Sequence, residues 1–295
     1  MELKQLEYFM TLCQELHFTR AAEKLGIAQP SLSLQIQLLE HEIGTPLFDR
    51  AGKKTAITDA GKILLSHCYN IFHELEEAKA GIDDLKGLQR GELKVGALLT
   101  VVNYLLPSAV AVFHQDYPNI KLSIFGLRTG DILTGLFKNE LDLGIVYLPV
   151  EHQGLEILHL FKQELAFAVP YNHSLAEKSS LELKVLETIP SILLPENYYL
   201  RKFINQHVMK LGFSVKPSIE MTTMESIINM VAQGLGITIL PQGYLNHIKN
   251  DKIRVISIAG PSLSIQLGIV FRKNKHLSAA SRAFIELLTE TIKWL

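Results

Sequence analysis

Two cysteines, Cys13 and Cys68, are all that these 295 residues contain. So few exclude a disulfide-built secreted domain. Both stand in helical patterns, where they read as small core residues in a reducing compartment rather than as a disulfide or metal site. Long apolar runs are missing too, and none approaches membrane-spanning length. The N-terminus lacks the basic segment and apolar core of a secretory signal, so a cytoplasmic chain that meets no membrane is expected. An excess of one charge is also absent: the formal net charge is −1. That is unlike the overall basic balance of many nucleic-acid binders. Catalytic signatures are lacking as well, with no Gly-x-Ser-x-Gly elbow, no His-Glu-x-x-His and no phosphate loop ending in Gly-Lys-Ser/Thr. Gly234-Leu235-Gly236 runs on into Ile237, which lacks the dinucleotide fingerprint and reads as a helix end before a strand. The eleven histidines are scattered. No enzyme, cofactor, metal site or catalytic residue is therefore expected. The length suffices for two or three domains with full cores.

What the chain does contain is concentrated at Phe18-Thr19-Arg20-Ala21-Ala22-Glu23-Lys24-Leu25-Gly26-Ile27-Ala28-Gln29-Pro30-Ser31-Leu32-Ser33-Leu34-Gln35-Ile36. This stretch reads as two short helices around a glycine turn, the arrangement that places a second helix in a DNA major groove. In the first helix Ala21, Ala22 and Leu25 share a face, and Thr19 is suited to cap it. Gly26 sits where a helix stops and the chain turns sharply. The second helix opens on Gln29-Pro30, and a proline in the first turn sacrifices no hydrogen bond. Leu32, Ile36 and Leu39 then recur at helical spacing and face inward. Pro30, Ser33, Leu34 and Gln37 fall on the opposite side, short and uncharged near the helix start, as base-edge contact requires. The alternative is an ordinary helical hairpin.

Ile43 to Arg50 leaves that helix, Ala51-Gly52-Lys53-Lys54 forms a basic turn, and Thr55 to Thr58 returns as an extended piece. The pattern predicts a small β-hairpin wing whose Arg50, Lys53 and Lys54 meet phosphates beside the groove. A solvated basic turn is the competing reading. Residues 1–60 hold six Lys/Arg against eight Asp/Glu. Attraction to DNA must then come from local clusters and from doubling in a dimer, which predicts modest non-specific affinity.

The chain resembles the LysR-type family of bacterial transcriptional regulators along its whole length. The resemblance rests on Leu3-Lys4-Gln5-Leu6-Glu7-Tyr8-Phe9, the Phe18 to Ala22 block, Ala28 to Ile36, Leu39-Glu40, Leu47-Phe48-Asp49-Arg50 and Thr58-Asp59-Ala60-Gly61. It implies that Gln29, Pro30, Ser31, Ser33 and Arg50 lie against DNA, and Thr19 and Arg20 complete the expected set with Leu34, Gln37, Lys53 and Lys54. Two positions depart from the family pattern. Ala28 stands where a capping Ser or Thr is usual, and Leu34 where Arg is common.

From Thr58, a plausible cap, helix-compatible sequence runs to about Leu88 without proline. Leu64, Cys68, Ile71, Leu75, Ala78, Ile82 and Leu85 alternate spacings of four and three, a heptad seam. A second copy of this helix is one partner for the seam, and the chain's own globular body is the other. The resemblance implies antiparallel pairing in a homodimer, and then a homotetramer. In that pairing Cys68 faces a different residue, so no interchain disulfide is expected. Gly87 to Gly91 reads as a hinge.

From Glu92 the pattern becomes alternating strands and helices. Strands are expected at Leu93–Gly96, Lys121–Phe125, Leu141–Tyr147, Leu165–Val169, Ile192–Leu194, Ile219–Met221, Ile237–Leu240 and Leu263–Phe271. Helices are expected at Tyr104–Tyr117, Asp131–Lys138, Leu200–Leu211, Met224–Ala232 and Ala279–Leu295. Repeated βα units imply mostly parallel sheets covered by helices. The fold class is thus α/β, with an N-terminal winged helix-turn-helix over 1–58, a linker helix over 59–88 and an effector domain over 92–295. The resemblance gives that last domain a two-subdomain shape like periplasmic binding proteins. Subdomain I is expected at 92–162 plus 266–295 and subdomain II at 163–265.

Open α/β sheets bind ligands beyond the carboxyl ends of their strands. Those ends are Ala97-Leu98-Leu99-Thr100, Leu127-Arg128-Thr129, Pro195-Glu196-Asn197-Tyr198-Tyr199 and Thr222-Thr223, each before a helix whose N–H groups suit an anion. Leu99, Thr100, Arg128, Thr129, Asn197, Tyr198, Thr222 and Thr223 are the expected effector residues, although each Thr is also a candidate cap. Arg128 suits a carboxylate, with an exposed surface role as the alternative, and a small organic anion is the effector that the resemblance implies. The implied partners are promoter DNA carrying an inverted repeat, a second copy of the chain, the effector and RNA polymerase, with the protein on the nucleoid. An exported solute-binding protein would leave residues 1–58 without purpose. A cytoplasmic enzyme would need a catalytic constellation that the sequence does not show.

Overall fold

The computed structural model describes residues 1–49, 55–84, 91–260, 262–273, 275 and 277–292. They form two compact units, residues 1–82 and 83–295.

The first unit opens with α1 (Leu3–Glu15), α2 (Phe18–Leu25) and α3 (Gln29–Ile43). Gly26 ends α2 at φ +66°, a left-handed turn that glycine adopts without strain. Thr19 does not cap α2. His17 does, its Nδ1 accepting the Arg20 N–H at 3.5 Å, because the helix starts at Phe18 and Thr19 already lies inside it. Ala28 makes no side-chain cap on α3, and Pro30 occupies its first turn. Leu32, Ile36 and Leu39 are fully buried against Phe9, Leu12 and Ala21. A two-stranded antiparallel hairpin, β1 (Phe48–Asp49) and β2 (Ala56–Ile57), follows. Glu40 fixes its approach by accepting the Leu47 and Phe48 N–H groups at 2.8 and 3.1 Å. Phe48 closes the core, its ring 5.4 Å from that of Phe9.

α4 (Asp59–Asp84) has 26 residues. Thr58 caps it, accepting the Gly61 N–H at 3.0 Å while donating to the Pro46 carbonyl at 2.9 Å. The expected seam divides in two. Leu64, Cys68 and Ile71 pack into the winged unit's own core, so for them the partner is the chain itself. The reason is geometric: a helix lying on a globular core shows the same three-four spacing as one in a coiled coil. Leu75, Ala78 and Ile82 emerge beyond that core, with Leu75 37% and Ile82 59% exposed. Leu85 lies outside the described residues.

The second unit begins with β3 (Gly91–Leu98), which runs directly into α5 (Leu99–Tyr104) and then α6 (Leu106–Asp116). The helix expected at Tyr104–Tyr117 is therefore two helices, the second with Pro107 in its first turn. β4 (Ile120–Leu127), α7 (Thr129–Phe137) and β5 (Leu143–Leu148) complete a parallel β4-β3-β5 group. β6 (Leu155–Pro170) leads to the second half. There β7 (Ser180–Leu181), a short 3-10 helix, β8 (Ile192–Leu193), α8 (Tyr199–Lys210), β9 (Ile219–Glu220) and α9 (Met224–Ala232) follow in turn. The chain continues through β10 (Thr238–Pro241), α10 (Gln242–Ile248), β11 (Ile253–Ile258), β12 (Ser264–Arg272) and α11 (Ala279–Ile292).

The sheet is not mostly parallel. β12 is antiparallel to both β5 and β6, and β6 is antiparallel to β10 and β11. The sequence pattern misleads because the Leu165 to Pro170 part of β6 and the middle of β12 are buried on both faces, so they read as continuous apolar runs like parallel strands. β6 changes partners along its length: Leu155 to Glu164 pair with β12, and Leu165 to Pro170 with β10 or β11.

Candidate functional site

In the first unit, the outer face of α3 carries Gln29, Pro30, Ser31, Leu34 and Gln37 in solvent, with Ser33 half-buried. Thr19 is exposed on α2. Arg20 is exposed as well, but its guanidinium turns back to donate to the Glu15 carbonyl at 2.7 Å. No charged side chain occurs in α3 before Glu40. This face therefore offers amides, hydroxyls and apolar groups, the vocabulary of base edges rather than of phosphates. Arg50, Lys53 and Lys54 lie outside the described residues.

In the second unit, a cavity of about 760 Å³ collects all eight expected effector residues: Leu99, Thr100, Arg128, Thr129, Asn197, Tyr198, Thr222 and Thr223. The fold brings them together because β3, β4, β8 and β9 end at one rim. Each strand hands over there to a helix, namely α5, α7, α8 and α9. Helices α7, α8 and α9 direct their N-terminal turns at the cavity, where free N–H groups and aligned peptide dipoles favour an anion. β4 and α5 approach closely at Gly126, where a Cβ would sit 2.8 Å from Leu99 Cδ1.

The hydroxyls differ in availability. Thr223 is the N-cap of α9, accepting the Ser226 N–H at 3.2 Å and donating to Ser226 Oγ at 2.8 Å, so it lines the cavity with its hydroxyl committed. Thr129 opens α7, whose cap residue Arg128 makes no side-chain cap. Thr100 Oγ1 lies 3.5 Å from the Tyr147 hydroxyl. Arg128 stands exposed, its guanidinium 5.9 Å from the Tyr198 ring centre.

Sequence reasoning missed Asn103, Tyr147, Lys202 and Tyr244, which also line the cavity, and it placed Tyr199 at a strand end without naming it among the effector residues. Strand-end position finds the first residues of each loop but not a tyrosine on the buried side of β5 or one from α10. Lys202 was findable, since it stands three residues into α8 on the side of its first turn. Tyr199 donates to the Leu148 carbonyl at 2.6 Å and lies against Tyr147, ring centres 5.6 Å apart. Burial pushes the Tyr104 and Tyr244 hydroxyls up to about 12, and those of Tyr147 and Tyr199 also rise. They therefore act as neutral donors at physiological pH. The cavity then carries two cations, Arg128 and Lys202, against one carboxylate, Asp131, among neutral hydroxyls and amides.

Behind α8, Arg201 is 1% exposed and was not anticipated. It donates to the Leu194 carbonyl at 3.0 Å, to Asn205 Oδ1 at 2.9 Å and to Glu220 Oε1 at 3.1 Å. These bonds tie the cavity wall at Leu194 to β9. Burial holds Cys13 up to about 12 and Cys68 up to about 11, so both thiols stay neutral and inert. Among the described residues no cluster of three or more His, Cys, Asp or Glu could hold a metal ion.

The chain matches two family models: "Bacterial regulatory helix-turn-helix protein, lysR family" over residues 3–62 and "LysR substrate binding domain" over residues 86–293. It is 32% identical to an uncharacterized HTH-type transcriptional regulator, YybE, of Bacillus subtilis, across 96% of this chain and 97% of that one. It is 32% identical to a probable RuBisCO transcriptional regulator of Synechocystis, across 96% of this chain and 84% of the other. Among solved structures, a full-length OxyR variant from Pseudomonas aeruginosa superimposes with a TM-score of 0.75 at 28% identity, covering 99% of this chain and 95% of that one.

Proposed function

The chain belongs to the LysR family of bacterial transcriptional regulators and is a DNA-binding regulator rather than an enzyme. From that premise we propose that the cavity of the second unit binds a small organic anion that modulates promoter binding. The supporting observation is the convergence of three helix N-termini with Arg128, Lys202, Thr100, Thr129 and Thr222 on one cavity of about 760 Å³, large enough for a metabolite-sized carboxylate. Subdomains at 92–162 plus 266–295 and at 163–265 fit the point where β6 changes partners. In this reading α3 is the recognition helix, with Gln29, Pro30, Ser31, Ser33, Leu34 and Gln37 toward bases and Thr19, Arg20, Arg50, Lys53 and Lys54 toward the backbone. Leu75, Ala78, Ile82 and Leu85 form the surface for a second copy, giving a dimer that reads an inverted repeat and assembles further into a tetramer. RNA polymerase and a nucleoid location in the cytoplasm complete the reading. No helix among the described residues is long and apolar enough to cross a membrane.

An anion acts only through a different affinity for two conformations. The test titrates full-length protein onto the DNA upstream of its own gene, with scrambled competitor at two salt concentrations, while a panel of small carboxylates is screened by thermal shift. Competitor-resistant binding that weakens with salt, and a carboxylate that changes it, is the expected result. Arg128→Met should abolish that carboxylate's effect while leaving binding in its absence unchanged. A carboxylate effect that survives Arg128→Met would remove Arg128 from the site.

A further inference from the structure

Leu34 is 54% exposed at the middle of the outer face of α3, opposite the buried row of Leu32, Ile36 and Leu39. Exposed leucines are ordinary on protein surfaces, but this one stands among the side chains assigned to base edges. Its neighbours on that face are Pro30 and Ser31 about one turn earlier, Ser33 beside it, and Gln37 and Leu38 about one turn later; Leu38 is a second leucine in solvent, 48% exposed, and none of the five carries charge. A leucine makes no bond to phosphate and no hydrogen bond to a base. In the major groove one base feature is apolar, the C5-methyl of thymine. Guanine would place its O6 and N7 acceptors against a side chain without a donor, which leaves desolvated polar atoms unpaired.

We propose that Leu34 is a specificity-determining residue that selects a thymine, through its methyl group, in each half-site of the operator. The proposal rests on the reading of α3 as the recognition helix. It also gives the face a division of labour. Gln29 and Gln37 supply hydrogen bonds, while Leu34 supplies an apolar contact that excludes water and disfavours G at its position. Because Leu34 projects into solvent, its replacement removes the contact without opening a cavity in the core.

The experiment is selection of binding sites from randomised duplex DNA by the full-length wild-type, Leu34→Ala and Leu34→Arg proteins. Each enriched thymine is then replaced by deoxyuridine, which removes only the methyl. Wild type is expected to enrich a half-site containing a thymine whose deoxyuridine form binds roughly four-fold more weakly, the worth of one methyl withdrawn from water. Leu34→Ala should bind the thymine and deoxyuridine sites equally and lose the preference at that position alone. Leu34→Arg should exchange it for G, since a guanidinium fits the O6 and N7 pair. An equal deoxyuridine penalty in wild type and Leu34→Ala would assign the methyl to another side chain and overturn the proposal. So would an unchanged consensus in both variants. If wild type itself enriches no consensus, the recognition-helix reading fails first and the role of Leu34 falls with it.

Discussion

Gln29 stands in solvent at the first residue of α3, with its amide free to meet a base edge. Gln29→Ala should cost about 1–3 kcal/mol at the specific site and little on random DNA. Fluorescence anisotropy on the two duplexes measures both, and an equal loss would mean that Gln29 reads no base. The residue scale is also where sequence patterns mislead most. Thr19 looks like a cap, yet the helix begins one residue before it and His17 takes the role. Cap chemistry is legible, but its exact position depends on where α1 releases the chain. Thr223 shows the converse: strand-end logic places it at the cavity, and its hydroxyl nevertheless belongs to Ser226.

α4 is the element whose environment changes along its length. At its first turn Gly61 packs so closely on the wing that a Cβ would stand 2.4 Å from the Leu47 carbonyl oxygen. That contact is with backbone, so it cannot be relieved by a rotamer change. Gly61→Ala should therefore destabilise the winged unit by about 1–3 kcal/mol, visible in urea unfolding followed by circular dichroism. The tyrosines of the second unit make an alkaline prediction. Burial holds Tyr104 and Tyr244 protonated up to about 12, above the ordinary 10.0. The stability they contribute is whole below pH 10 and is lost as pH rises from there through about 12, because the unfolded chain releases protons that the folded one keeps. Tyrosinate absorbance should lag behind that of free tyrosine and then rise together with loss of ellipticity. A rise that follows free tyrosine with the ellipticity intact would show that these rings are open to water. Most elements are legible as apolar runs bounded by turn residues, and Met224–Ala232 is found to the residue. Strand direction is not legible, since burial on both faces erases the alternation that marks an antiparallel strand.

For the whole molecule, the exposed end of the α4 seam is the surface to test. Paired Leu75→Asp and Ile82→Asp substitutions should convert the oligomer to monomer in analytical ultracentrifugation and weaken operator binding, with the melting of the winged unit unchanged. An unaltered sedimentation coefficient would place the contact between copies elsewhere. Domain order and the ring of strand ends around the cavity are legible because loops after strands are set by topology. Tyr147 and Tyr244 are not, because only tertiary packing brings them to that rim. The strand that changes partners has a mechanical consequence. β6 and β12 run side by side through the junction at Glu164 and Ser264, and Tyr104 and Gln163 are hydrogen-bonded at 2.6 Å beside it. Two antiparallel strands joined by a ladder of hydrogen bonds resist sliding and stretching more than they resist twisting. In the reading proposed above, an anion that enters the cavity acts on that twist.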